Sequence, residues 1–202
     1  MRGVLPVVQI MGIAIVSVVV AAFAETKAPV RPTKAKGRVP LVTQSVTFAK
    51  HESLGITADA VRARLREANR ALQRKDSSTD FACRVKFDLS GTLPDFLDSG
   101  GHTFDTIDSA VELNALKTSV PTLVKIVGAI DGFQCGPGSP PYDGCAAPGH
   151  IVLREAFAPL TFPHEFGHHK GINGHDSTPG RIMSDTPGPV VRPEDCAALR
   201  GQ

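Results

Sequence analysis

The segment running from His164 to Asp176 restricts this chain more than any other part of it. His164-Glu165-Phe166-Gly167-His168 places two imidazoles four residues apart, and on a helix such residues lie one above the other on one face. Both rings can then reach a single ion, while Glu165 is rotated off that stripe to where a base for an attacking water would stand. Thr161 reads as the N-cap, Pro163 is tolerated in the first turn, and Gly171 is the residue type that ends helices in the left-handed conformation. The chain therefore doubles back just after His168 and brings His175 and Asp176 into the same neighbourhood, with Ile182-Met183-Ser184 following.

Around this segment the rest of the chain divides simply. Arg2, an apolar run over residues 4–20 and Ala22-Phe23-Ala24 make residues 1–24 an expected export signal, cleaved after Ala24. Residues 25–40 carry five Lys/Arg among prolines without apolar periodicity and read as a solvated basic linker. Residues 41–202 are the right size for one domain with one core. With 22 basic against 20 acidic residues, the chain lacks the basic excess that marks a nucleic-acid partner. No stable membrane association is expected once the signal is removed.

Four cysteines in an exported chain predict two disulfides. Cys135 and Cys145 bracket a Gly/Pro-rich loop and are paired locally, leaving Cys83 with Cys196. Their spacings do not match a cysteine zinc site. Asp95, Asp98, Asp105 and Asp108 match no EF-hand loop, and His51, His102 and His150 stand alone without a role.

Patterning gives the elements. Residues 42–49 read as a strand, and Thr57 opens a helix whose stripe is Val61, Leu65, Ala68 and Leu72, with Arg62, Arg64, Arg66, Arg70 and Arg74 mostly off it. Strands are expected over residues 81–89, 122–130 and 151–153, and a last helix from Pro193 to Leu199. Residues 106–116 are open between a short helix and irregular structure.

HExxH, a glycine, His-Asp and an Ile-Met pair, in that order, resemble the metzincin clan of zinc metallopeptidases, nearest its matrixin-like and reprolysin-like members. Residues 164–184 carry the resemblance, and the order of elements upstream agrees with it. It implies an α+β (α/β sandwich-like) catalytic domain with a small mixed twisted sheet, a long N-terminal helix, an active-site helix and a C-terminal helix. Position by position it implies His164, His168 and His175 as Zn(2+) ligands, Glu165 as catalytic base, Gly171 as the turn and Met183 as the floor beneath the metal. His175 departs from the pattern by one residue, since the usual position of the third histidine holds Gly174; Asn173-Gly174 would absorb the insertion. Asp176 stays open as third ligand, or else as an acceptor that orients the turn or a histidine. Glu194 is the nearest downstream carboxylate for a different zinc clan, but it sits in the cap of the last helix. His169 shares a stripe with Glu165 and is expected at the rim.

The chemistry so implied is hydrolysis of a peptide or protein substrate by Glu165-assisted attack of zinc-activated water, without a covalent enzyme intermediate. The alternative is a secreted, non-catalytic zinc module that keeps the fold; the longer turn favours it and the retained Glu165 opposes it. The resemblance also makes residues 150–154 the expected edge strand that pairs with an extended substrate.

Overall fold

The strand expected over residues 42–49 forms as two strands in different sheets. In the computed structural model, which describes residues 39–74, 82–131, 135 and 141–202, β1 (Val42–Val46) runs parallel to β3 (Val85–Leu89), while β2 (Phe48–His51) joins a five-stranded sheet. Between β2 and β3 in the chain lies α1 (Ala58–Leu72), capped by Thr57, whose hydroxyl accepts the amide of Ala60. Its buried residues include the expected stripe Val61, Leu65, Ala68 and Leu72. Asn69 is buried as well, and both ends of its side-chain amide bond the backbone of Phe87 in β3. The expected export signal, nearly all of the expected linker, Phe81 and residues 136–140 lie outside the described residues.

The remaining elements are β4 (Asp95–Phe96), β5 (Thr106–Ile107), α2 (Ala110–Ser119), β6 (Val124–Val127), β7 (Ala129–Ile130), β8 (Gly144–Ala147), β9 (His150–Arg154), α3 (Thr161–His169) and α4 (Pro193–Leu199). Residues 106–116 thus hold a two-residue strand and most of a helix, and the strand expected over 122–130 breaks at Gly128. There the amides of Gly128 and Ala129 both turn to the carbonyl of Asp105, so β7 leaves the large sheet and pairs with β5.

The large sheet runs β4-β2-β6-β9-β8, parallel throughout except for β8. The expected edge strand is therefore corrected: β9 is internal, between β6 and β8, and β8 is the edge. The sequence of β9 agrees with this, because four consecutive buried residues suit a strand covered on both faces rather than an exposed edge.

Alternation along the strands feeds two cores. Phe48, Val124, Ile126, Ile151 and Leu153 join the residues of α1, α3 and α4, whereas Val127 and Val152 face a second cluster with Leu116 of α2, Phe104 and Ile107. The protein is a mixed α+β fold, as expected.

Both cysteine pairings form as read from the sequence. Cys83–Cys196 (Cα–Cα 5.5 Å) joins the segment before β3 to α4, and Cys135–Cys145 (Cα–Cα 5.8 Å) pins the preceding loop to β8. Among the described residues no helix is long and apolar enough to cross a membrane.

Candidate metal centre

Two phenylalanines seat α3. The rings of Phe162 and Phe166 pack on Phe87, with centroids at 5.0 and 4.9 Å, and Phe162 also meets Phe48 at 5.3 Å. Positions 164 and 168 lie about half a turn away from that apolar face, so burying the phenylalanines turns both histidines towards the β8 side. The helix begins one residue earlier than expected. Thr161 already donates its amide to Ala158 in a preceding turn, so Leu160 takes the N-cap position, with no side-chain cap.

Gly167 allows a close approach beneath the helix. A β-carbon there would lie 2.6 Å from Met183 Sδ, and Met183 is 1% exposed, packed against the helix that carries the histidines. Gly171 takes φ +91° and turns the chain, as expected. Gly174, at φ +74°, absorbs the extra residue, and His175 still swings back over α3.

The outcome is a triangle of ring nitrogens. Nε2 of His164, His168 and His175 are separated by 3.1 Å (164–168), 3.1 Å (164–175) and 2.9 Å (168–175). Nδ1 of His164 is 2.8 Å from the Ile182 carbonyl and Nδ1 of His168 is 2.8 Å from that of Ile172. A carbonyl only accepts, so both Nδ1 atoms carry the proton and both Nε2 atoms turn lone pairs inward. Burial holds His164 down to about 4, and it also lowers His168, so both rings are neutral near neutral pH, the form that ligates a metal.

Three converging lone pairs repel one another unless a cation sits among them, and at these separations one ion reaches all three at the usual Zn–N length of about 2.0–2.1 Å. The residues fit a bound metal ion, and these three are the one such group of His, Cys, Asp and Glu among the described residues.

The neighbours of the triangle are carboxylates. Glu165 is 7% exposed, and burial alone raises it to about 8. Asp185, which no motif singles out, brings Oδ1 to 2.8 Å from His175 Nδ1, in contact though not aligned as a hydrogen bond.

Asp176 is turned away from the triangle. It accepts the Thr178 amide, contacts Arg181 at 2.6 Å and Arg192 at 3.3 Å, and its own amide bonds Met183 O. It orients the turn, as its second expected role had it, and touches no histidine. Glu194 pairs with Arg192. His169 accepts the Gly149 amide at the β8–β9 turn, at the rim.

A cleft of about 1030 Å³ lies over these groups, walled by Gly144, Ala146 and Ala147 of β8 on one side and by residues 171–177 on the other, with His164, Glu165 and His168 at its base. β8 carries no strand signal in the sequence, because Gly-Cys-Ala-Ala has neither β-branched residues nor alternation. The position of Asp185, two residues past Met183, was the available signal for its role.

Fold and site together define a mixed α+β protein with a three-histidine group that can hold a metal ion. No family model matches the chain, and a search of curated proteins finds no relative. Among solved structures, it is similar to metalloproteinase-II from Bacteroides fragilis (13% identity, TM-score 0.46, 79% of this chain and 52% of that one). It is similar also to mature mirolysin of Tannerella forsythia in complex with a cleaved peptide (12%, 0.45, 73% and 70%). A third similarity is to a chain in a chaperone–substrate complex (12%, 0.41, 72% and 28%). This chain spans about half or less of the first and third of these proteins.

Proposed function

We propose that this chain is an exported, zinc-dependent endopeptidase of metzincin-like design, with His164, His168 and His175 as ligands and Glu165 as general base. The observation that carries the reading is the inward convergence of three Nε2 atoms beside a buried carboxylate, at the base of a cleft walled by an edge strand.

A zinc ion held there supplies Lewis acidity, making water a stronger acid and stabilising negative charge on a carbonyl oxygen. Glu165 Oε takes a proton from the attacking water and delivers it to the leaving amine. Burial alone raises Glu165 past neutrality, and a cation beside it would draw the value down to where the carboxylate can both take and return a proton. The carbonyls of Ile182 and Ile172 fix the tautomers of His164 and His168, and Asp185 favours the proton on His175 Nδ1. The outer side of β8 offers backbone groups to an extended peptide, which would lay its scissile bond alongside Glu165.

The one-residue insertion, which favoured a non-catalytic zinc module, leaves His175 within 3.1 Å of both other histidines. The test is hydrolysis of casein and a quenched peptide by residues 25–202, beside Glu165→Gln. The expected result is at least a ~100-fold loss of turnover in Glu165→Gln with zinc retained. Full activity in that variant would refute the mechanism, and zinc without turnover in the wild type would favour the non-catalytic module.

A further inference from the structure

Strand β8 contains a glycine that its backbone does not need. Gly144, the first residue of β8, is not among the glycines with positive φ, so any residue could adopt its conformation. Its place is explained by space. A β-carbon on Gly144 would lie 2.6 Å from Glu165 Cγ, 2.8 Å from Glu165 Oε1 and 2.9 Å from Thr161 Cγ2. The bare backbone of β8 is the wall against which the Glu165 side chain rests.

That wall is held on both sides of the glycine. Asp143, one residue before, pairs with Arg154 of β9 at 2.5 Å and accepts the Arg154 amide through its carbonyl. Cys145, one residue after, carries the disulfide to Cys135, and the antiparallel ladder sets Gly144 opposite Leu153 and Cys145 opposite Val152. A strand fixed at the residues before and after a contact cannot withdraw easily. The contact atoms Glu165 Cγ and Thr161 Cγ2 are not free ends of long side chains either. Both residues are buried on α3, whose other face is seated on Phe87.

We propose that Gly144 is a positioning residue for Glu165: the missing side chain at this one place on the edge strand sets where the carboxylate stands in the cleft it shares with the three histidines. The tripeptide Asp143-Gly144-Cys145 then works as anchor, spacer and anchor, and the Cys135–Cys145 bridge holds the catalytic wall as well as a loop. The inference rests on the peptidase reading for its kinetic consequence, but its geometric content is independent of turnover.

The test is Gly144→Ala in two backgrounds, wild type and Glu165→Ala, measuring zinc content, Tm and, in the wild-type background, kcat and KM. In the wild-type background zinc stays at one per chain, Tm falls, and kcat falls on the order of 100-fold with little change in KM, the scale of an ångström-sized misplacement. In the Glu165→Ala background the same methyl group enters space vacated by the glutamate, so the Tm loss shrinks, and Thr161 accounts for what remains. Folding of Gly144→Ala only in the Glu165→Ala background would be the same result in stronger form. Equal Tm losses in both backgrounds, or an unchanged kcat in an active enzyme, would overturn the proposal. A wild type without turnover would retire the peptidase reading and leave the Tm comparison to decide the role of Gly144 in placing Glu165.

Discussion

Replacing Asn69 by alanine removes the clamp between α1 and the strand that seats the helix carrying His164 and His168. Asn69 is 6% exposed; its Nδ2 donates to Phe87 O at 2.9 Å and its Oδ1 accepts from Phe87 N at 2.7 Å. In a parallel ladder alternate residues bond to the same neighbour, so these two groups of Phe87 point away from β1 and have Asn69 in place of a strand. Alanine leaves one buried donor and one buried acceptor unpaired at about 1–3 kcal/mol each, roughly 2–6 kcal/mol together. For a domain of this size 1 kcal/mol moves Tm by about 2–4 °C, so Asn69→Ala is expected to melt roughly 4–24 °C lower in calorimetry.

Asn69→Asp separates the two bonds. It keeps the acceptor for Phe87 N–H but turns an unprotonated oxygen on Phe87 O, and its buried carboxyl must have a raised folded value. Its deficit should therefore shrink as pH falls towards 4 and below, where the protonated form is favoured and can donate. Because the Phe87 ring carries Phe162 and Phe166, both variants should also lose zinc to a chelator faster than the wild type. A deficit below about 1 kcal/mol in Asn69→Ala would refute the clamp, since it would mean that water satisfies both backbone groups.

Asp176 gives a pH signature. The Thr178 amide first, and then Arg181, hold its carboxyl down to about 2, below the usual carboxylate range. The stability it contributes is fully present above about pH 4 and is lost as pH falls towards 2, so acid unfolding followed by circular dichroism should flatten over that window in Asp176→Asn. Cys83→Ser with Cys196→Ser opens a bridge of sequence separation 113, for which chain entropy gives up to about 4–5 kcal/mol; Tm should drop by up to roughly 20 °C, and an unchanged Tm would refute a stabilising role.

Particular residues show what the sequence could reveal. His164, Glu165 and His168 were legible because helical spacing fixes their relation, and Gly171 because few residues but glycine end a helix at φ +91°. The stripe of α1 and the two cysteine pairs were legible for similar reasons, in periodicity and in loop length. β8 was not, since Gly-Cys-Ala-Ala carries no strand pattern, and its neighbours, Glu165 against Gly144 and Cys135 bridged to Cys145, are set only by the fold. Nor did spacing tell the direction in which Asp176 turns. Arg181 and Arg192 arrive from later segments and draw it away from the histidines. Asp185 reaches His175 only once the Met183 turn is folded under α3.

The most direct test of the three-histidine site is the metal content of residues 25–202, purified without added metal and beside His175→Ala and Asp176→Ala. One zinc per chain is expected in the wild type, with loss of metal in His175→Ala and retention of stoichiometric zinc at lower thermal stability in Asp176→Ala. Zinc kept by His175→Ala and lost from Asp176→Ala would transfer the third ligand to the carboxylate, and a wild type that binds no zinc would contradict the account at its centre.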